Sequence, residues 1–387
     1  MGSTDNEVDR RKEAFVLEWK KLGEIADIGT GSNNREDACD NGLYPFFVRS
    51  QEVLRINTYL YDEEAILIPG EGGVGDIFHY INGKYGLHQR TYRVHPASNA
   101  VLGKYIYYYL FENFKSYINQ KSFKSTAASI RKPMLLDFQI AVPSFDEQTR
   151  IVGILDTFTT AIDNLKQQIA ERRKQYEHYR DQLLDFSENE IIEKLSFGHD
   201  FTLKARIGWQ GLTKKEYRVE GEYKLITGTD FTSNNRIDFN RCVYVDKERY
   251  DQDPYIQIHE DDVLITKDGT LGKIAYIEKL EQPATLNGGV FVVRDNQQRI
   301  IQKFLMYYLT SDNFVNWMKQ NHTQGSIQHL TQALLSKFII PVVSKEKQKR
   351  IVEILDAFST SITNLEQQLK LHEKQYEYYR NKLLTFE

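Results

Sequence analysis

Residues 150–186 and 350–386 are two copies of one text: at a displacement of 200 positions, 22 of the 37 aligned residues are identical. Chance does not produce such a match, so the chain is an internal duplication and must fold as two related halves. The shared text opens with R-I-V-x-I-L-D (150–156 and 350–356) and closes with K-Q-Y-E-x-Y-R-x-x-L-L-x-F (174–186 and 374–386). Apolar and aromatic residues alternate at spacings of four and three. They fall at Ile151, Leu155, Phe158, Ile162, Leu165, Ile169, Tyr176, Tyr179, Leu183 and Phe186 in the first copy, and at the same offsets in the second. That is a heptad seam, which predicts two long helices packing on each other. Each seam has one polar interruption, Arg172 and His372, read as register-setting positions. Ser144 with Glu147 forms a capping box that marks the first helix start; the second copy has Ser344 but Lys347, half a box. A helix of ~40 residues is about 60 Å long.

The duplication continues upstream more weakly. A buried-strand run leading into a glycine loop occurs as Ile66-Leu67-Ile68 with Gly72 and Gly75, and as Val263-Leu264-Ile265 with Gly269 and Gly272. Aromatic helix-like segments follow at 104–114 and 303–314, then Ser/Thr-rich stretches at 121–130 and 323–327, then short strands at 138–142 and 338–342. Between these landmarks lie short β-rich runs and turn signals such as Asn82-Gly83. The expected fold class is α+β: two globules separated by two long antiparallel coiled-coil helices, with an internal pseudo-two-fold. The expected segments are 1–14 (disordered), 15–143 (globule one), 144–187 (helix), 188–343 (globule two) and 344–387 (helix). The globules diverge while the helices barely differ, so the globules carry variable specificity and the helices a fixed scaffold role.

Composition narrows the function classes. With 41% hydrophobic residues and no apolar run near the ~20 residues of a membrane span, no transmembrane helix is expected. The polar first residues lack the apolar core of a secretory signal, which points to the cytoplasm. Cys39 and Cys242 are too distant in sequence to suggest a disulfide framework or a zinc cluster. A net charge of −4 is unlike a stand-alone nucleic-acid binder, so any DNA binding needs help from partners.

Catalytic motifs are sought without success. Residues 70–75 fit G-x-G-x-x-G after a strand, but a dinucleotide site needs a helix next, whereas Ile77-Phe78-His79-Tyr80-Ile81 leading into Asn82-Gly83 reads as strand and hairpin. Gly269 to Lys273 lacks the glycine spacing and the Ser or Thr of a phosphate loop. All eight prolines are isolated, which excludes the Asn/Asp-Pro-Pro-aromatic motif of adenine methyltransferases. The nine histidines form no H-E-x-x-H. Asp262 and Lys267 flank a strand in a nuclease-like way, but no carboxylate adjoins the lysine, and a solvated strand end is the better reading.

Two variable globules alternating with two near-identical helices, together with the doubled R-I-V-x-I-L-D and K-Q-Y-E-x-Y-R texts and the W-K-K-L-G-E text at 19–24, resemble the specificity subunit of type I restriction-modification systems. The resemblance runs from about Trp19 to Phe386, although the second half reads Phe201-Thr-Leu-Lys-Ala-Arg where the first has W-K-K-L-G-E. It implies that each globule is a target recognition domain reading one half of a split double-stranded DNA site. The helices would serve as spacer and as docking surface for two modification (methyltransferase) subunits, which assemble with restriction subunits. No cofactor is expected here; S-adenosylmethionine and ATP would belong to the partner subunits. Half-sites one helical turn apart lie about 34 Å from each other, a separation that a two-helix spacer can set.

Base reading needs only a few polar loop side chains. The DNA-contact candidates are Arg49, Gln51, His88, Gln89, Arg90, Lys121, Lys124 and Ser125 in the first globule. In the second they are Lys267, Thr270, Asn287, Thr323, Gln324 and Ser326, with Thr229 and Gln210 behind them. The repeated, off-seam Gln175, Arg180, Gln375 and Arg380 are the partner-docking candidates, whereas the seam tyrosines read as packing. The competing readings are a nucleotide-using enzyme built on the glycine loops and a coiled-coil adaptor with no nucleic-acid role.

Overall fold

The computed structural model describes residues 17–121, 129–208, 211–269, 271–321 and 330–386. The chain divides into two compact units, Met1–Lys166 with Gln368–Glu387, and Gln167–Gln367. Each unit therefore combines a globule with one stretch of each long helix.

Unit one runs β1 (Glu18–Lys21), α1 (Leu22–Ile25), β2 (Ala26–Thr30), β3 (Tyr44–Phe47), β4 (Val53–Ile56), β5 (Tyr61–Pro69), β6 (His79–Leu87), β7 (Thr91–Pro96), α2 (Gly103–Lys121), α3 (Lys132–Leu136), β8 (Gln139–Val142) and the start of α4 (Phe145–Leu183). Its main sheet has the order β2-β7-β5-β6-β3-β4, antiparallel except where β3 runs parallel to β6. β1 and β8 form a separate antiparallel pair. The Ala-Ile-Leu-Ile run of β5 is buried on both faces because alternate side chains serve different cores. Ile66 and Ile68 meet the aromatics of α2, whereas Ala65 and Leu67 meet Phe47, Tyr85 and Leu87.

Unit two runs β9 (Glu193–Ser196), β10 (Phe201–Lys204), β11 (Tyr223–Ile226), β12 (Val243–Val245), α5 (Lys247–Asp251), β13 (Val263–Thr266), β14 (Ile274–Tyr276), β15 (Ala284–Leu286), β16 (Val290–Asp295), α6 (Gln302–Thr310), α7 (Asp312–Asn321), α8 (Gln332–Leu335), β17 (Ile339–Val342) and the start of α9 (Lys345–Leu384). Its sheets have the orders β10-β16-β13-β14 and β12-β11-β15. This is the unit-one topology with the long β6 divided into β14 and β15: β11 runs parallel to β15 as β3 does to β6. β13 splits its faces as β5 does, Val263 and Ile265 toward α6 and Leu264 toward the other core.

Several expectations are corrected at this level. The counterpart of the Trp19 strand is Glu193–Ser196, which pairs with β17 as β1 pairs with β8; Phe201–Lys204 instead matches β2. Asn82-Gly83 is no turn but lies inside β6, and the hairpin bend is the glycine loop itself. The 303–314 helix is broken at Ser311, whose hydroxyl bonds the Tyr308 carbonyl at 2.7 Å and competes with helix continuation. Asp262 is not a solvated strand end: it is 2% exposed and held by Arg294 at 2.5 and 2.6 Å.

In both units α4 and α9 pair antiparallel. In unit one Phe158 stacks on Tyr379 at 5.3 Å; in unit two Tyr179 stacks on Phe358 at 5.5 Å, and Arg173 bonds Glu366 at 2.5 Å. The seam holds at Ile151, Leu155, Ile351 and Leu355, but the ring edges of Tyr179 and Tyr379 stay solvent-facing. Near each helix end the deepest residue is Leu184 or Leu384 rather than Leu183 or Leu383, because the last turn packs into a globule instead of against the other helix. Of the polar interruptions, Arg172 lies over the Phe358 ring and His372 leaves a buried Nδ1 without a protein partner. Ser144 and Ser344 both accept from the backbone N–H three residues on, at 3.3 Å. The Glu147 carboxylate turns to Arg150 instead of closing the capping box.

Identical polar ties fasten each globule to the helices. Gln148 accepts from Leu102 N at 2.9 Å and donates to the carbonyls of Ala100 and Pro143; Gln348 does the same with Ile301, Arg299 and Val343. Both glutamines are fully buried. Asp156 takes Lys104 and the Tyr108 hydroxyl, and Asp356 takes Lys303 and the Tyr307 hydroxyl. The repeated R-I-V-x-I-L-D text thus reads as an attachment sequence. Gln148→Ala orphans one buried and two partly buried backbone groups and should destabilise the chain by roughly 1–3 kcal/mol. The exposed Gln168→Ala should stay within about 0.5 kcal/mol of the parent. Urea unfolding of the full chain separates the two outcomes.

Candidate nucleic-acid interface

The described polar candidates lie on or beside three loops that recur in both globules. In unit one they follow β3, follow β5, and precede β7. His88 N donates to the Phe47 carbonyl at 3.0 Å, and Gly70 N to the Arg90 carbonyl at 2.9 Å. In unit two Asn287 N donates to the Ile226 carbonyl at 2.9 Å, and Lys267 N to the Gly289 carbonyl at 2.8 Å. His88-Gln89-Arg90 and Asn287-Gly288-Gly289 are therefore the same loop in two chemical versions. The returning segment is anchored alike: Ile130 N bonds Gly70 O at 2.8 Å, and Leu330 N bonds Lys267 O at 3.0 Å.

In unit one Arg49 and Arg90 each place Nη1 on the same oxygen of Glu71, at 3.0 and 2.9 Å. Hydrogen bonds from Arg90 and then Arg49 hold the Glu71 carboxyl below the usual carboxylate range. His88 is buried, and its Nδ1 accepts from Arg90 N at 3.0 Å, which places the ring proton on Nε2. Burial, then the two arginines, lowers its pKa and keeps it neutral. Gln89 is exposed and bonds Asn34 at 2.7 Å; Gln51 is exposed. A shallow pocket lined by Arg35, Val48, Arg49, Ser50, Glu71, Gly72 and His88 brings these loops together. Just before His88 the backbones pack closely: a Cβ on Gly31 would lie 1.9 Å from the Leu87 carbonyl oxygen, so no larger residue fits. The glycine loop bends through Gly72, Gly73 and Gly75, all with φ near +70 to +77°. Because it joins antiparallel β5 and β6, no helix N-terminus follows and no dinucleotide site forms.

Unit two builds the equivalent place differently. Asn287 donates to the Tyr217 hydroxyl at 2.7 Å and accepts from Gly289 N at 3.1 Å. Lys267 lies over the Phe291 ring, 5.4 Å from its centre. Thr229 is exposed and bonds the Thr227 hydroxyl at 2.8 Å; Thr227 in turn is fixed by the buried Asp230. Behind these loops Arg206, 2% exposed, donates to Leu286 O (2.9 Å), Gln252 (2.9 Å), Arg249 O (3.1 Å) and Thr285 (3.2 Å). It pins the strand end from which Asn287 projects. Burial opposes its charge and the nearby Arg249 adds repulsion, which the four acceptors and the carboxylates of Asp253 and Glu216 offset.

Lys124, Ser125, Gln210, Thr270, Thr323, Gln324 and Ser326 lie outside the described residues, as does the side chain of Lys121. Glu71 and Arg206 were not among the sequence candidates. Glu71 was in plain view inside the discounted glycine motif, whereas nothing in the sequence marks Arg206 as buried. Among the docking candidates, Gln175 and Gln375 are exposed. Arg180 and Arg380, expected on an outer face, are drawn inward instead: Arg380 bonds Glu112 at 2.5 Å and covers Phe111, and Arg180 pairs with Asp181 beside Tyr176. They serve the joint between helix and globule. Both cysteines are free thiols, and burial pushes Cys242 up to about 12, which makes it inert. Among the described residues no cluster could hold a metal ion, and no helix is long and apolar enough to cross a membrane.

The sequence pattern of the family described as "Type I restriction modification DNA specificity domain" matches residues 17–172 and 210–372. The chain is 32% identical to the type I restriction enzyme EcoDI specificity subunit of Escherichia coli over 46% of its length, which spans 39% of that relative. It is 25% identical to the putative type I restriction enzyme specificity subunit S.HindORF215P of Haemophilus influenzae, over 98% of each chain. Its fold matches the crystal structure of the type I restriction-modification system S subunit from M. genitalium with a TM-score of 0.65 at 18% identity, over 98% of each chain.

The position of Arg206 generates a test of the loop framework. Arg206→Ala should cost roughly 2–4 kcal/mol. It should also raise amide hydrogen exchange in residues 285–290 while leaving residues 70–90 unchanged. Equal exchange in both variants would show that Arg206 does not hold the Asn287 loop.

Proposed function

Since the chain belongs to the family of type I restriction-modification DNA specificity domains, we propose that it reads an asymmetric bipartite DNA target, one half-site per globule, through the loops after β3 and β11, after β5 and β13, and before β7 and β16. It acts as a recognition subunit and not as a catalyst. The observation that carries this reading is one loop framework built twice and furnished differently: Arg49, Glu71, His88 and Arg90 furnish its loops in one unit, and Thr229, Lys267 and Asn287 furnish them in the other. Equal frameworks with unequal side chains are what two different half-sites require.

The docking of two modification subunits, and through them of restriction subunits, is assigned to the long helices, with Gln175 and Gln375 as exposed contact positions. The methyl donor and ATP belong to those partners in this reading, and the complex works in the cytoplasm. The net charge of −4 fits such a division, since phosphate contacts can come from the partner subunits.

Mapping methylated adenines in cells with and without this chain tests the reading. Its loss should abolish methylation at one bipartite motif, and replacing residues 18–142 by the corresponding globule of a relative should change one half-site only. A methylome indifferent to the chain would sink the reading, and a motif unchanged by globule exchange would favour a coiled-coil adaptor.

A further inference from the structure

Glu71 is an oddity on a surface meant to meet DNA. A carboxylate there repels phosphate, and its ion pairs do little for stability: Glu71, Arg49 and Arg90 have side chains 44%, 43% and 57% exposed, and such surface pairs contribute at most about 1 kcal/mol. Yet the structure fixes it closely. Its backbone bridges to Ser129, the preceding Gly70 is tied at both N–H and carbonyl, and the following Gly72 and Gly73 adopt left-handed conformations.

The hydrogen-bond pattern shows what the carboxylate can offer. Both arginines bond one oxygen, Oε2. Among the described residues no group bonds Oε1, and each arginine uses only Nη1 on the carboxylate. The triad therefore presents a rigid acceptor flanked by guanidinium donors. In the major groove a G·C pair shows the complement: the guanine N7 and O6 acceptors beside the cytosine N4 amino donor. An A·T pair offers no such acceptor pair for a guanidinium fork.

We propose that Glu71 is a specificity-determining residue that accepts a hydrogen bond from a cytosine amino group in the half-site read by unit one, while Arg49 and Arg90 donate to guanine O6 and N7 in that base pair or its neighbour. The assignment deepens the DNA-reading function and rests on it. Prefixed geometry lets the carboxylate act without an ordering cost. Glu71 also sets the direction of both arginines, so the three side chains read as one unit.

The test is methylome mapping with the full complex carrying Glu71→Gln or, separately, Arg49→Lys and Arg90→Lys. Wild type should show a C or G at one or two positions of the unit-one half-site. Glu71→Gln should lower discrimination at a single such position roughly tenfold or more, and the lysine variants should relax an adjoining guanine. The half-site read by unit two should remain unchanged in each. Glu71 is a half-exposed loop residue, so the variant should fold, which thermal unfolding verifies. An unchanged motif, even with altered overall DNA affinity, would overturn the proposal and leave the general reading standing. A wild-type chain on which no motif depends would remove the DNA-reading function itself and this proposal with it.

Discussion

A long amphipathic helix has no stable way to present its seam to water, and the two heptad helices of this chain are therefore committed to each other and to the globules. The joint is polar as well as apolar. The buried Gln148 and Gln348 satisfy three backbone groups apiece, and Asp156 and Asp356 each receive a lysine and a tyrosine from the aromatic helix. Buried polar groups of this kind tolerate little change, because removing one partner strands the others. This explains why the two copies agree so closely at residues 150–156 and 350–356 while the loops of the globules diverge freely. Fixed joints permit variable readers.

The glycine loops show the same logic on a smaller scale. Gly72, Gly73 and Gly75 in one unit, and Gly269 and Gly272 in the other, take left-handed conformations that return the chain antiparallel to β5 or β13. What the loops hold fixed is the backbone. The side chains beside them differ: Glu71 carries two arginines in unit one, whereas Lys267 lies on Phe291 in unit two.

The duplication, the helices, the strand at 66–68 and its partner at 263–265 were legible because they rest on periodicity and identity, which need no tertiary information. Asn82-Gly83 misled because a turn signature loses to strand pairing, here with Glu64 and Glu63 of β5. Arg180 and Arg380 misled in another way. An off-seam position on an isolated pair of helices would be outward, but each helix end also meets a globule: Phe111 and Glu112 claim Arg380, and Arg180 pairs with Asp181, whose carboxylate accepts from Asp312 N. Loop candidates such as Arg49, Arg90 and Asn287 could be nominated from chemistry alone. Their mutual placement could not, because it depends on strands far apart in sequence.

The pairing of cations also bears on how recognition is organised. Arg49 and Arg90 share Glu71, Lys115 meets Asp76, Arg218 meets Asp246, and Arg236 meets Glu278. Cations already matched to carboxylates add little to sequence-independent attraction for phosphate, which otherwise grows with every contact. A chain with net charge −4 is thus a weak general binder but can be a good discriminator. Base edges in the groove can take the guanidinium donors that a carboxylate leaves free, whereas a wrong base leaves those donors unpaired. In the proposed reading, affinity then comes from partners that bring their own cations, and selectivity stays with this chain. That division suits a subunit whose globules can change without disturbing the joints that assemble the complex.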